Sequence, residues 1–357
     1  MAIDFNFSSA ELETFRPEAQ RTEYVVDPAL YNAVRVAILL QQPLLLTGEP
    51  GTGKTRLAEK LADDLSQRPD SDFLNRPLVF HTKTTSTFTD LFYTYDALGH
   101  FQAAHFDEGN QLPPTPGGSL TKPIDNLLSK QKKEVPQASA YIQLQALGQA
   151  ILLSNAEALA DYNRREQSYL PMSSVPTDRP RSTVVLIDEV DKAPRDFAND
   201  LLNELDRFEF CVREDRNQTY CRGLGKVIVI LTSNSEKNLP DAFLRRCIFY
   251  HIEFPEKQLL DIVVGQLFTN SPEYKAKKAQ IDERLKEYIG VFMAMRNSNP
   301  KKQPATAELI SWIYFLREQL INNVPYNSID KTIRRAGNSI LAKHKDDLLA
   351  LNNALTE

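Results

Sequence analysis

The chain has 357 residues, 42% of them apolar and 25% charged, and a net charge of −5. That is length for two to three domains and apolar content for a substantial core; it excludes a collagen-like or disordered chain and a globally basic nucleic-acid binder. Three cysteines make no disulfide framework, and Cys211 and Cys221 have no second Cys/His pair nearby to complete a zinc site.

In chain order, the N-terminal stretch MAIDFNFSSAELETFRPEAQ carries acids and no apolar targeting segment, and residues 1–27 are expected to be an extension. Residues 28–41 place Leu30, Val34, Ala37 and Ile38 on one helical stripe, with Pro28 suited to a first turn. Gln41, Gln42 and Pro43 then interrupt the apolar run well short of the about 20 residues a membrane helix needs, so a cytoplasmic location is expected. PLLLTG predicts a buried strand and TRLAEKLADDL a helix. Further strands are predicted over 76–84, 182–190, 226–234 and 247–254. Continuous β-branched runs alternating with helical segments point to an α/β domain over 28–255, a parallel sheet covered on both faces.

Residues 93–180 are expected to be an insertion into that domain. LPPTPGGSLTKP (112–123) and SYLPMSSVPTDRPR (168–181) predict loops. Residues 137–165 predict one long amphipathic helix with Leu144, Leu147, Ile151 and Leu159 on a face. No motif residue falls within 106–180, so its deletion is expected to spare the functional site. Beyond Pro255 the β-branched runs stop, and four helical patterns predict a smaller all-α domain over 256–357. The basic run Lys331, Arg334, Arg335, Lys343 and Lys345 predicts a solvated helix face.

Four segments carry chemistry. Gly48-Glu49-Pro50-Gly51-Thr52-Gly53-Lys54-Thr55, followed by Arg56, matches the phosphate-loop pattern G-x-x-x-x-G-K-[ST] between a strand and a helix. Its glycines let backbone N–H groups wrap a polyphosphate, Lys54 can reach the β- and γ-phosphates, and the Thr55 hydroxyl can bind Mg²⁺. VVLIDE puts Asp188 and Glu189 at the end of a buried strand, the end that faces the ligand crevice in an open α/β sheet. There Asp188 would hold the metal, directly or through a metal-bound water, and Glu189 would polarise the attacking water. LTSN ends the next strand, with Asn234 as the candidate to position that water. The segment from Asn238 to Cys247 predicts turn residues and a short helix ending in Arg245 and Arg246, candidate arginine fingers. No Asn-Lys-x-Asp motif is present, which favours ATP over GTP. The five histidines form no ligand cluster, and His81 and His251, within strands, are expected in the core.

The order GEPGTGKT, LIDEVDKAP, LTSN and LPDAFLRRC resembles the AAA+ ATPase family, and within it the MoxR-like branch. Two further segments are similar to that branch: TFTDLFYTYDALG, where it opens an insertion, and 208–221, where it carries a hairpin before the sensor 1 strand. The resemblance implies a Mg²⁺-dependent ATPase acting as a homo-oligomeric ring, a hexamer, that remodels or activates a client protein, with a von Willebrand A-domain protein as the partner by analogy. A nucleotide-dependent switch with slow hydrolysis is the alternative, and a nucleic-acid motor, for which the chain shows no basic loop, ranks below it. It also implies Walker A, Walker B, sensor 1 and finger roles for the four segments, with Arg246 at the place of the usual finger arginine and Arg245 in place of an acid. Where the family's lid offers a sensor 2 arginine, this sequence has Glu308.

Overall fold

The structure is a computed structural model that describes residues 24, 26–106, 138–164, 179–194, 197, 198, 200, 201, 205, 207–215, 217–235, 239–269, 271–298 and 300–353. The loop expected over 112–123, most of that over 168–181, and nearly all of the N-terminal extension lie outside the described residues. By contacts the chain forms two compact units. One draws on the described residues up to Val34, Leu46–Lys60 and the chain from Tyr250 onward; the other draws on Arg35–Leu45 and Leu61–Phe249.

The elements begin with helix α1 (Pro28–Leu40), strand β1 (Leu44–Gly48) and helix α2 (Lys54–Ser66). Strands β2 (Leu78–His81), β5 (Thr183–Asp188), β8 (Val227–Ser233) and β9 (Ile248–Ile252) join β1 in a five-stranded sheet of order β2-β5-β8-β1-β9. The pairing of β2 with β5 and of β5 with β8 is parallel. All five residues of β1 are buried, and so are the first five of β5. This is why these strands appear in the sequence as unbroken apolar runs.

Two small antiparallel pairs accompany the sheet. Strand β3 (Tyr93–Tyr95) pairs with β4 (Ile142–Leu144), and β6 (Glu209–Val212) with β7 (Gln218–Cys221). The second is the hairpin expected over 208–221. Its Phe210 stacks between Phe92 and Tyr220, each centroid 5.2 Å away. All three cysteines are free thiols, and burial pushes that of Cys247 up to about 12.

Residues 137–165 do not form the single long helix that their spacing predicts. A 3₁₀ turn (Ala138–Tyr141) leads into β4, and two helices follow, α4 (Ala146–Ser154) and α5 (Ala156–Arg164). Asn155 divides them. Its backbone is extended, and its side-chain oxygen accepts from the N–H groups of Glu157 (3.0 Å) and Ala158 (3.2 Å), capping α5. Every residue of α4 is buried, and the helix packs on β2, β5 and β8. This part of the expected insertion is therefore sheet-domain core. Leu144, Leu147, Ile151 and Leu159 are buried there, although they come from one strand and two helices.

Between β3 and β4 the chain adds α3 (Ala97–Phe106). Between β8 and β9 it forms the short helix α6 (Asp241–Leu244). From Leu259 on, the described chain is helical: α7 (Leu259–Leu267), α8 (Pro272–Ala276), α9 (Lys278–Asn297), α10 (Thr306–Phe315), α11 (Arg317–Ile321), α12 (Lys331–Leu341) and α13 (Lys345–Asn353). These helices bury a second core around Tyr288, Phe292, Trp312 and Tyr326. The basic run lies on an exposed face except for Arg334, whose guanidinium lies over the Tyr326 ring. Among the described residues no helix is long and apolar enough to cross a membrane.

The burial of α4 sets the cost of altering it. Ile151→Ala removes a fully buried side chain and is expected to destabilise the sheet unit by about 2–5 kcal/mol, measured by urea unfolding. Deleting 106–180 would remove α4 together with its loops. Contrary to the sequence expectation, that deletion should leave no folded sheet unit, which circular dichroism and solubility would report.

Candidate functional site

The phosphate loop is the turn from β1 into α2. Gly48, Gly51 and Gly53 have φ of 146°, 80° and 89°. At Gly48 a Cβ would meet the Ile252 carbonyl oxygen at 2.6 Å, and at Gly53 it would meet the Tyr24 ring at 2.8 Å. Both positions thus need the backbone freedom and the missing side chain that only glycine supplies. Tyr24 is so enclosed that burial pushes its phenol up to about 12. The turn delivers Lys54 as the first residue of α2, so the positive end of the helix opens from the loop.

Lys54 is buried, and its Nζ donates to the carbonyls of Gly48 and Glu49, each at 2.9 Å. The Thr52 hydroxyl donates to the Glu49 carbonyl at 2.8 Å. The Glu49 carboxylate accepts from Arg296 at 2.6 Å. Thr55 and Arg56 lie half-buried in the first turn of α2, and Pro50 sits between Glu49 and Gly51 on the loop. One strand away, Thr47 Oγ1 is 2.9 Å from His251 Nδ1. His251 is exposed otherwise, and so is not the core residue expected of it.

The acidic pair stands at the end of β5, and Asn234 just past the end of β8, its parallel neighbour. Buried Thr232 connects them. Its hydroxyl donates to Asp188 Oδ1 at 2.5 Å and accepts from the Glu189 N–H at 2.9 Å. Glu189 itself is left-handed, φ 59° and ψ 49°. Such a conformation is uncommon for a residue with a side chain and costs of order 1–3 kcal/mol. The Thr232 bond holds it there. Asn234 Nδ2 donates to Glu189 Oε1 at 3.4 Å, and the Asn234 N–H to Asp191 at 3.3 Å. Lys192 pairs with the other carboxylate oxygen of Glu189. That hydrogen bond, with the charge of the carboxylate, raises the ammonium above the ordinary lysine range.

His81 stands opposite Asp188 in the β2–β5 register, 3.5 Å from its carboxylate, with 72% of its side chain exposed. It is a strand-end residue beside the acids and not the core residue expected. The structure thus brings Asp188, Glu189 and Asn234 together and adds Thr232, His81 and Lys192, which the sequence reading missed. Thr232 lies within the LTSN segment, and His81 lies within the strand predicted over 76–84, which the structure ends at His81 itself.

Arg245 and Arg246 follow α6. Their N–H groups cap its carbonyls, donating to Asp241 and Phe243 respectively, and both residues are exposed. Asn238, the expected cap, lies outside the described residues. At the lid position expected for an arginine, Glu308 instead caps its own helix, accepting from the Ala305 N–H at 3.1 Å. Lys343 lies 4.0 Å from it.

The phosphate loop by itself fits a polyphosphate: a glycine turn at a helix N-terminus with a buried lysine, followed by the Thr55 hydroxyl, a hard oxygen of the kind Mg²⁺ takes. The Asp188 carboxylate at the end of β5 offers a hard oxygen of the same kind. Among the described residues no three or more His, Cys, Asp or Glu side chains form a group that could hold a metal ion.

Because Thr232 serves both acids, Thr232→Val is expected to cost about 1–3 kcal/mol, leaving a half-buried N–H and a carboxylate oxygen without that partner. Urea unfolding measures it, and a variant as stable as the wild type would show that the bridge contributes nothing.

No curated protein matches this chain. The family model described as an AAA domain matches residues 39–239, more than half of the chain. The match takes in the phosphate loop, the acidic pair and Asn234, and it ends before Arg245. Site geometry and family model agree: the chain belongs to the AAA domain family, the AAA-type P-loop ATPases.

Proposed function

We propose that this protein hydrolyses ATP with Mg²⁺ in a homo-oligomeric ring, and that it is a MoxR-like AAA+ ATPase that remodels or activates a client protein in the cytoplasm. The observation that supports hydrolysis most is the 3.4 Å contact between the Asn234 amide and the Glu189 carboxylate at the ends of neighbouring buried strands. In this reading the Glu189 carboxylate is the general base and Asn234 orients the attacking water beside it. Thr232 keeps the Glu189 backbone, and so its carboxylate, in one place. Lys54 exchanges loop carbonyls for phosphate oxygens and supplies a fixed charge against the β- and γ-phosphates. Mg²⁺, held by Thr55 and Asp188, would neutralise phosphate charge.

The branch assignment draws support from the β6–β7 hairpin just before β8 and from the β3–β4 pair that follows the second sheet strand. A von Willebrand A-domain partner comes only by analogy with that branch. Ring assembly draws support from the exposed Arg245 and Arg246, whose fixed charge and planar fork suit phosphate contact in a neighbouring subunit.

Two substitutions separate binding from chemistry. Lys54→Ala is expected to abolish ATP binding by calorimetry, and unchanged affinity would remove the nucleotide-site assignment. Glu189→Gln keeps the shape and should bind ATP while turnover falls about 10²–10⁴-fold. Wild-type turnover in that variant would exclude Glu189 as the base.

The ring is tested by mixing. Arg246→Ala is expected to bind ATP normally and lose about 10³–10⁵ in turnover. It retains a pocket without a finger, and Lys54→Ala retains a finger without a pocket. Mixed rings should regain part of the activity that each variant lacks alone. Mixed assemblies with no recovered activity at any ratio would return the arginines to a helix-end role.

A further inference from the structure

Arg296 belongs to none of the segments from which the phosphate site was read. It lies near the end of α9, with 6% of its side chain exposed. Two edges and one face of the guanidinium are engaged. One edge donates to the Pro304 carbonyl at 2.6 Å, another to the Glu49 carboxylate at 2.6 Å, and the Phe254 ring centroid lies 3.8 Å from the central carbon. Pro304 lies two residues before α10, and the start of α10 approaches the same loop. A Cβ on Gly51 would stand 3.2 Å and 3.3 Å from the Cβ atoms of Ala305 and Ala307.

We infer that Arg296 is a positioning residue of the phosphate loop: it neutralises and fixes Glu49, so that the loop can receive a polyphosphate. The inference rests on the nucleotide-binding reading above. Glu49 is the only acid between Gly48 and Thr55, so it is the one loop residue whose charge opposes a polyphosphate. Its main-chain carbonyl also accepts from both Lys54 and Thr52, so a shift of Glu49 displaces the partners of the phosphate-binding lysine. The planar fork of arginine can hold Pro304 and Glu49 along its edges while stacking flat on Phe254, whereas a lysine ammonium, a compact charge with no planar face, cannot reproduce that arrangement. Without Arg296, the Glu49 carboxylate would meet the incoming phosphates uncompensated.

The test is ATP affinity by calorimetry on the full chain, with thermal unfolding alongside. Arg296→Met keeps the volume and loses the charge. It is expected to weaken ATP binding about 10–100-fold, because the half-exposed Glu49 carboxylate then faces the phosphates without its partner charge, and to raise KM far more than it lowers kcat. Adding Glu49→Gln to that variant removes the exposed acid and should recover much of the lost affinity, which no purely structural role of Arg296 would do. Arg296→Lys retains the charge and should bind about 3–10-fold more weakly than wild type, through loss of the fork; it carries the test if the methionine variant does not fold. Wild-type affinity in Arg296→Met, or in Arg296→Lys when that variant stands alone, overturns the inference. So does a double variant that binds no better than Arg296→Met. Failure of the wild type itself to bind ATP would instead remove the nucleotide reading and this inference with it.

Discussion

A lysine ammonium buried at the end of a fully buried strand is the constraint around which the phosphate site is organised. Burying an ammonium is costly unless it is hydrogen-bonded, and Lys54 meets that need with the carbonyls of Gly48 and Glu49. Those carbonyls turn toward Nζ only because the loop passes through positive φ at Gly48, Gly51 and Gly53. The loop can be that tight because β1 holds its start rigidly inside the sheet and α2 takes up the chain at Lys54. Each part therefore presupposes the next. Neutral carbonyls satisfy the ammonium less well than phosphate oxygens would, which leaves it ready to exchange partners.

The acidic residues are organised by a different device. A threonine hydroxyl can donate and accept at once. Thr232 uses both capacities, toward Asp188 and toward the Glu189 N–H, and so couples the metal-binding candidate to the candidate base. The left-handed backbone of Glu189 is the strained element of this arrangement. It turns the chain sharply out of β5, so that the carboxylate meets Asn234 and Lys192 at the strand end. Strain of this kind persists only where the surroundings overdetermine it. Here the buried parallel pairing of β5 with β8 and the Thr232 hydrogen bond do so.

The helical C-terminal residues contribute to the phosphate loop as well as to their own core. Arg296, Ala305 and Ala307 all approach it, while Glu308 is occupied with its own helix end. A buried guanidinium paired with a loop carboxylate gives this region an electrostatic hold on Glu49 that no short motif encodes.

The amino-acid sequence by itself determined the parallel sheet, the phosphate loop and the polar strand ends. These depend on local patterns: unbroken apolar runs, glycines at fixed spacing, carboxylates directly after a strand. Tertiary structure decided what local spacing cannot carry. Leu144, Leu147, Ile151 and Leu159 fit one helical stripe, yet Asn155 caps a new helix and β3 claims Ile142–Leu144 as a partner strand. His81 sits in an apolar run and would pass for core, but the β2–β5 register leaves it exposed beside Asp188. Arg296 stands far from Glu49 in sequence, and only the packing of α9 brings them together. In each case the partner is remote in sequence, and its contribution exists only once the chain has folded.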